Sequence, residues 1–273
     1  MITINFQGRL GNNLFQYCFG RILAEKMGLM LGFHNENESS RWLARIPGAD
    51  VMPSFKEISK PVYGEVRLEN PLKLSGHKVD METIIKHEGL IELYEFFGQR
   101  YEYYKESKEK IKKWLIPDAH FPPRPKKDLV VHVRCYHDEG RCLERPEGLK
   151  NWTMPYDYYK DSIETCKTIN GGIEKIFICT DNKDDPLIVQ RLIQDYDAKI
   201  SNLNEEEDFS FIMSFNNIVI CQSTFSWWAS FLSNASNIFF PESKQGPWYE
   251  KQSDIDLHVD DEKRYKYISV KND

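Results

Sequence analysis

The chain has 273 residues, about twice the roughly 100–150 residues of a typical single domain, so its length favours two domains. Hydrophobic residues make up 41% and charged residues 29% of the chain, a balance that excludes an intrinsically disordered protein. The formal net charge is -6, which excludes the broad positive field that holds a nucleic-acid backbone without sequence preference. We therefore expect a folded protein with no nucleic-acid partner.

No stretch of the sequence approaches 18 consecutive apolar residues, so we expect no integral membrane segment. The first ten residues lack the basic flank and apolar run of a secretory signal. The six cysteines form no Cys-x-x-Cys pair, which is typical of reduced thiols rather than of a disulfide framework. The sequence thus predicts a soluble, cytoplasmic protein that is at most peripheral to a membrane.

Short apolar runs rich in Ile, Val and Phe alternate with amphipathic stretches along the chain. Such runs are typical of strands buried on both faces of a parallel sheet. In chain order, the predicted elements are strand Ile2–Phe6, helix Asn13–Met27, strand Leu29–Phe33, helix Glu106–Leu115, strand Leu129–Val133, helix Tyr156–Thr168, strand Lys175–Cys179, helix Asp185–Tyr196, helix Glu206–Phe215, strand Ile218–Cys221, helix Phe225–Asn234 and strand Ile238–Phe240. The alternation predicts an α/β fold with helices on both sheet faces.

A proline-rich segment marks the predicted boundary between the two domains. Pro117–Pro125 contains four prolines in nine residues and directly precedes a predicted strand. Proline at this density suits an extended linker and no element interior. We place one α/β domain at residues 1–122 and a second at residues 123–273.

The first candidate site is the turn Gln7–Asn13, between the opening strand and the first helix. Gly8 and Gly11 allow close approach of the backbone, and the helix start offers free N–H groups to an anionic or hydroxyl-rich ligand. Alternatively, this is an ordinary turn in which Asn12 or Asn13 caps the helix. The turn is not the longer glycine fingerprint of dinucleotide-binding proteins.

The second candidate site is the strand that carries His132 and Arg134. Alternation places both side chains on one face, near the carboxyl end, where open α/β sheets bind their ligands. The fork-shaped guanidinium of Arg134 suits a phosphate, although Arg134 equally suits an ion pair with an acidic neighbour. A further interpretation makes this segment a zinc site, with the ligands His132, Cys135, His137 and Cys142.

Thr180, Asp181 and Asn182 form the third candidate site, at the abrupt end of another buried strand. A carboxylate there is suited to accept hydrogen bonds from a guanine edge or from ribose hydroxyls. Asp181 is equally suited to cap the helix that follows.

The fourth candidate site lies where the strand Ile218–Cys221 passes into a helix. Ser223, Thr224 and Ser226, with the amides of the helix start, form a donor-rich anion site, and Phe225 is placed to stack on a base. The alternative is that the hydroxyl side chains only cap the helix, while the two tryptophans after Ser226 pack against the sheet. Together, the strand ends carry the groups that hold a nucleotide diphosphate without a metal.

Five segments, in order along the chain, resemble the glycosyltransferase family 11 α-1,2-fucosyltransferases and, more distantly, the wider group that uses GDP-fucose. Gly8–Tyr17 resembles the family's opening G-x-L-G-N-Q-x-F-Q-Y, and Tyr94–Tyr104 resembles its G-Y-F-Q-S-x-K-Y-F segment. The remaining matches are His132-Val-Arg134 with H-x-R-R-x-D, Thr180-Asp181 with S/T-D, and Ser223–Trp228 with S-x-F-S-W-W. The chain departs from the family at Cys135, which replaces the second arginine, at Tyr136-His137, which displace a glycine, and at Asn13, which replaces a glutamine.

The resemblance implies a GT-B fold of two facing Rossmann-like domains, with GDP-fucose in the C-terminal one. It implies transfer of fucose with inversion to a hydroxyl of an oligosaccharide acceptor, with no metal and no cofactor beyond the donor substrate, and an α-1,2 linkage to galactose. There are two alternatives: a GT-B transferase that uses another nucleotide sugar, and a non-catalytic relative that only binds a sugar or nucleotide.

The resemblance also assigns roles to individual residues. Arg134 would bind the β-phosphate, with His132 orienting the phosphate or its loop, while Asn12 would reach the sugar or the surroundings of Arg134. Asp138, by its position after the strand that carries His132 and Arg134, is the leading hypothesis for a base or for a carboxylate that orients the loop. The remaining donor-binding residues are predicted to be Gly11, Thr180, Asp181, Ser223, Thr224, Phe225 and Ser226.

Overall fold

The computed structural model describes residues 1–33, 71–115, 121–135, 154–182, 187–243, 248 and 254–271. Two compact units make up the chain: Met1–Asp118 with Lys251–His258, and Ala119–Glu250 with Val259–Asp273. The first division falls inside the proline-rich segment. The sequence-based assignment placed residues 123–273 in one domain, whereas in the structure Lys251–His258 belongs to the first unit.

The first unit contains a four-stranded parallel sheet in the order β2-β1-β4-β3. Its strands are β1 (Ile2–Ile4), β2 (Leu31–Phe33), β3 (Leu72–Gly76) and β4 (Ile91–Phe96). Its α-helices are α1 (Leu10–Met27), α2 (Met81–Ile85) and α3 (Lys108–Trp114), the last preceded by short 3-10 turns. The central strand β1 is fully buried, so the inner face of α1 packs against an apolar sheet.

The second unit contains a six-stranded parallel sheet in the order β10-β9-β8-β5-β6-β7. Its strands are β5 (Leu129–Val133), β6 (Ile176–Thr180), β7 (Lys199–Ile200), β8 (Asn217–Val219), β9 (Asn237–Glu242) and β10 (Tyr265–Ser269). Its helices are α4 (Tyr156–Asn170), α5 (Leu187–Tyr196), α6 (Glu205–Met213) and α7 (Thr224–Leu232).

Seen from its β7 edge, the second sheet runs third, second, first, fourth, fifth and sixth strand in chain order, which is the Rossmann order. The order therefore reverses between β5 and β8, and ligands of open α/β sheets bind beyond the carboxyl ends of the strands at this point. Every residue of β5 is buried, as predicted for a central parallel strand.

All twelve predicted elements are present in type, with shifted ends, but the sequence patterns did not predict strands β3, β4, β7 and β10. β3 and β10 lie at sheet edges and are partly exposed, so they lack the continuous apolar run of a central strand. Helix α1 begins at Leu10 rather than at Asn13, because Arg9 takes the extended N-cap conformation. The acidic start of α6 forms a capping box between Asn204 and Glu207.

In the described part of the chain, no helix combines the length and the apolar character needed to cross a membrane.

Candidate functional site

The candidate site lies at the carboxyl ends of β5, β6 and β8 in the second unit. Parallel pairing places His132 of β5 opposite Cys179 of β6, and Val133 opposite Thr180. On its other side β5 pairs with β8, which leads to Cys221 and then to α7. The strand order thus brings together three of the predicted polar segments, which are 40 or more residues apart along the sequence.

Arg134 and Asp181 form an ion pair at this edge of the sheet. Nη1 of Arg134 lies 3.0 Å from Oδ2 of Asp181, and the two side chains are 19% and 17% exposed. The second carboxylate oxygen, Oδ1, accepts a 2.8 Å hydrogen bond from the backbone N–H of Cys135. Asp181 therefore holds the guanidinium from one side, and the predicted alternative of an acidic partner for Arg134 is confirmed.

His132 faces a thiol and an aromatic ring. Its Nδ1 lies 3.1 Å from Sγ of Cys221, and its ring lies 5.5 Å from the ring of Phe225, measured between centroids. Burial lowers the pKa of His132 to about 4, against the opposing effect of Asp181 and with a smaller contribution from Arg134. The imidazole is therefore neutral near pH 7.

The start of α7 provides the third part of the site. Ser223 occupies the N-cap position, yet its side chain makes no capping hydrogen bond, so the alternative that Ser223 caps the helix through its hydroxyl is wrong. The hydroxyl of Ser226 donates to the carbonyl of Ser223, 3.2 Å away. Thr224 and Phe225 are half-buried, and the following tryptophans are fully buried in the core, as predicted. The first amides of α7 and the positive end of its dipole lie at Ser223 and Thr224.

Thr180, the last residue of β6, lies at the same edge of the sheet. Its hydroxyl donates to the carbonyl of Asn182 and accepts from the N–H of Asn182, both at 3.2 Å. Sγ of Cys135 lies 3.6 Å from the same hydroxyl. Thr180 therefore shapes the turn that carries Asp181.

In the first unit, the turn after β1 is held by side-chain amides. Asn13 is buried and donates to the carbonyl of Gln7, so the alternative that Asn12 or Asn13 caps the helix is wrong: both lie inside α1. Gly8 has φ +78°, and a Cβ there would lie 2.5 Å from Nδ2 of Asn12. Oδ1 of Asn12 accepts a 3.0 Å hydrogen bond from Nε2 of Gln99. Gly11 lies in the first turn of α1.

Three of the sequence-predicted residues, Asp138, His137 and Cys142, lie outside the described residues. Within the described ranges, no group of three or more His, Cys, Asp or Glu side chains is arranged to hold a metal ion. The zinc interpretation of this segment gains no support from the two predicted ligands that are described, because His132 contacts Cys221 and Cys135 contacts Thr180.

In each unit, one residue that contacts a predicted site residue was not itself predicted. Cys221 ends the segment after β8, and its proximity to His132 depends on β8 lying beside β5. Gln99 follows β4, which pairs with β1 and so reaches Asn12. A polar side chain at the end of a strand is the signal that both share.

No family model matches the sequence, and none of the curated proteins matches it either. The structure is similar to that of a mutant of Arabidopsis thaliana FUT1 in complex with GDP, at 11% identity and a TM-score of 0.50, covering 88% of this chain and 69% of that one. It is equally similar to E. coli ADP-heptose lps heptosyltransferase II, at 10% identity and a TM-score of 0.50, covering 98% and 89%. Fucosyltransferase NodZ from Bradyrhizobium follows at 11% identity and a TM-score of 0.46, covering 87% and 94%.

The chain has a GT-B fold. The predicted fold class is thereby confirmed, with a parallel sheet in each of the two units. In this GT-B chain the strand ends described above lie where the Rossmann order places a ligand. Because the identities are low, the similarity establishes the fold alone, and the function is argued from the site.

Proposed function

We propose that the protein is a fucosyltransferase that moves fucose from GDP-fucose to a hydroxyl group of a glycan, without a metal ion. The observation that carries this proposal is the Arg134–Asp181 ion pair at the switch point of the second sheet. The pair presents a fixed guanidinium beside the start of α7, so two sources of positive potential converge on one place. A diphosphate is the ligand that this arrangement suits.

The two ionic partners have different tasks in this proposal. Asp181 orients Arg134 through the 3.0 Å contact with Nη1, and the oriented guanidinium donates to the β-phosphate. Asp181 therefore acts on the phosphate through Arg134. This differs from the sequence-based hypothesis that Asp181 contacts guanine or ribose, which stays a prediction.

In the proposed transfer, the bond between C1 of fucose and the β-phosphate oxygen breaks, and C1 forms a bond to the acceptor hydroxyl oxygen. GDP leaves with the electron pair, and the hydroxyl proton passes to a base or to solvent. Arg134 and the amides of α7 stabilise the negative charge that grows on GDP; one preorganised donor of this kind typically contributes about 2.7–4 kcal/mol. Single displacement inverts the configuration at C1.

The acceptor side of the proposal rests on fewer residues. Asn12 is the residue of the first unit that we propose to contact the sugar, and Asp138 is the proposed base. An α-1,2 linkage to galactose follows from the family resemblance alone. A transfer assay on a glycan array with radiolabelled GDP-fucose identifies the acceptor.

A GT-B transferase that uses another nucleotide sugar is the second candidate. One observation favours it: the E. coli ADP-heptose heptosyltransferase reaches the same TM-score as the FUT1 mutant bound to GDP. The fold therefore does not distinguish guanine from adenine as the base of the nucleotide donor. A relative that binds a nucleotide sugar without turnover is the alternative outside enzymes.

Calorimetric titration with GDP, UDP and ADP separates these candidates. We expect GDP to bind at least tenfold more tightly than UDP or ADP, and GDP-fucose to be hydrolysed slowly without acceptor. Preference for ADP or UDP would overturn the choice of fucose donor but keep the transferase. No binding of any nucleotide would overturn the proposal, and binding without hydrolysis or transfer would favour the non-catalytic relative.

A further inference from the structure

Cys221 contributes a buried thiol to the site, and the proposed chemistry has no use for it as a nucleophile. Its Sγ lies 3.1 Å from Nδ1 of His132, and both side chains are almost completely buried. Burial raises the pKa of the Cys221 thiol to about 12. With His132 also neutral, the contact is a hydrogen bond between two uncharged groups, and either atom is able to donate.

The other neighbours of Cys221 decide the direction of this hydrogen bond. The backbone N–H of Arg134 is directed at its sulfur, whereas the hydroxyl of Ser226 donates its one hydrogen to the carbonyl of Ser223. A thiol carries one hydrogen, its sulfur is a weak acceptor already approached by the Arg134 N–H, and the acceptor that lies within reach of the S–H is Nδ1 of His132. The S–H is therefore the group left to face Nδ1, so Nδ1 accepts and the imidazole carries its proton on Nε2.

We propose that Cys221 is a positioning residue that fixes His132 as the Nε2–H tautomer, so that the ring offers a hydrogen-bond donor to the diphosphate. The last clause rests on the proposed function, whereas the tautomer itself does not. Among the described residues, the hydrogen-bond partner of the ring is Cys221 at Nδ1, and none of them occupies Nε2.

The tautomer matters because phosphate oxygens are hydrogen-bond acceptors and therefore need a donor group opposite them. An Nε2 lone pair would face those oxygens with like polarity, whereas Nε2–H donates to them. Alternation along β5 places the side chain of His132 on the same face as that of Arg134, two residues further along the chain. The thiol thus completes a set of donors without adding charge.

The charged groups that act on His132 come from two neighbouring strand ends. Asp181, after β6, favours the protonated ring, and Arg134, after β5, disfavours it. Cys221, after β8, donates to the lone pair on which a second proton would bind. Loss of this donor frees Nδ1 for that proton, so the pKa of His132 rises towards its usual value of about 6.5.

The experiment measures the tautomer directly in the ligand-free, 15N-labelled full chain. Long-range proton–nitrogen correlation spectra distinguish a protonated from an unprotonated ring nitrogen, and His132→Gln assigns the His132 signals among the seven histidines. The variants are Cys221→Ala, which removes the donor, and Cys221→Ser, which keeps an O–H. Cys166→Ala is the matched control, because Cys166 is equally buried and hydrogen-bonds Asn170 instead of a histidine.

We expect the wild type, Cys221→Ser and Cys166→Ala to show a protonated Nε2 and an unprotonated Nδ1. In Cys221→Ala we expect a mixture of tautomers and a higher pKa for His132. If half of the rings then carry the proton on Nδ1, the dissociation constant for GDP rises about twofold, because half of the molecules lose the donor.

A protonated Nδ1 in the wild type would overturn the proposal, as would a Cys221→Ala protein with an unchanged tautomer and pKa. If Cys221→Ala fails to fold, the wild-type spectrum and Cys221→Ser still test the direction of the hydrogen bond. Absence of GDP binding by the wild type would overturn the proposed function and the link to the diphosphate. It would leave the measured tautomer as it is.

Discussion

Removing the guanidinium of Arg134 tests the electrostatic reasoning at the site. Arg134→Ala deletes the 3.0 Å contact with Asp181, while the N–H of Cys135 stays bound to that carboxylate. The two side chains are roughly one-fifth exposed, so we expect a loss of stability of about 1 kcal/mol, between the values for exposed and for buried ion pairs. The variant should fold.

Loss of Arg134 has two effects on the affinity for GDP. A charge-assisted hydrogen bond contributes about 2 kcal/mol, which is about thirtyfold in affinity. In addition, Asp181 now faces the phosphate without its cation. Unit charges about 6 Å apart interact by about 3 kcal/mol at an effective dielectric constant of about 20, and the partial exposure of Asp181 reduces this to about 1–2 kcal/mol. We expect GDP to bind Arg134→Ala several hundredfold more weakly.

Asp181→Asn separates the two effects by isothermal titration calorimetry with GDP. The double variant Arg134→Ala/Asp181→Asn should bind GDP about tenfold more tightly than Arg134→Ala, because the unpaired carboxylate is gone. Arg191→Ala is the control: it removes the same charge from the exposed face of α5, where Arg191 covers the ring of Tyr156. Normal GDP binding by Arg134→Ala, or a double variant no tighter than Arg134→Ala, would refute the reasoning.

Three further predictions concern the fold that supports the site. Gly8→Ala should destabilise the protein by about 1 kcal/mol more than Gly28→Ala in urea unfolding: both positions have positive φ, but only at Gly8 does the new Cβ meet Asn12. Lowering the pH from 7 to 5 should reduce the free energy of unfolding by about 2 kcal/mol through His132. The pKa of this histidine is about 6.5 in the unfolded chain and about 4 in the folded chain, so at pH 5 only the unfolded chain binds the proton. Tyr158→Phe should cost about 1–3 kcal/mol in the same unfolding assay, because two buried backbone carbonyls lose the hydroxyl that donates to them.

Each of these predictions has an outcome that contradicts it. Equal losses for the two glycine variants would mean that Asn12 moves aside at no cost. For the pH effect, the same slope in His132→Gln would assign the titration to other groups. A Tyr158→Phe protein as stable as the wild type would show that the carbonyls find water or another donor.

The sequence predicted the layers of the fold well because burial follows local patterns. Leu129–Val133 is apolar throughout apart from its histidine, and such a run fits a strand covered on both faces whatever its neighbours are. Edge strands such as Tyr265–Ser269 escaped prediction, since their exposed residues relax the pattern. The start of α1 at Leu10 also escaped prediction, because no side chain caps it.

The candidate site was predicted in its parts and not in its contacts. Arg134, Asp181 and Ser223 were identified because each stands where a buried strand gives way to polar residues. Only the structure revealed the ion pair between Asp181 and Arg134 and the contact between the Cys221 thiol and His132. Both oxygens of Asp181 are bound by protein groups, a pairing that the sequence did not reveal, and its contact with guanine or ribose stays a prediction.

By itself, therefore, the sequence determined six of the ten described strands and the polar groups that stand at their ends, since both depend on neighbours a few residues away. The order β7-β6-β5-β8 was decided by the tertiary structure alone. This order brings residues about 50 and 90 positions apart into hydrogen-bond distance. Strand order depends on how whole helices and strands pack, and no local pattern carries that information.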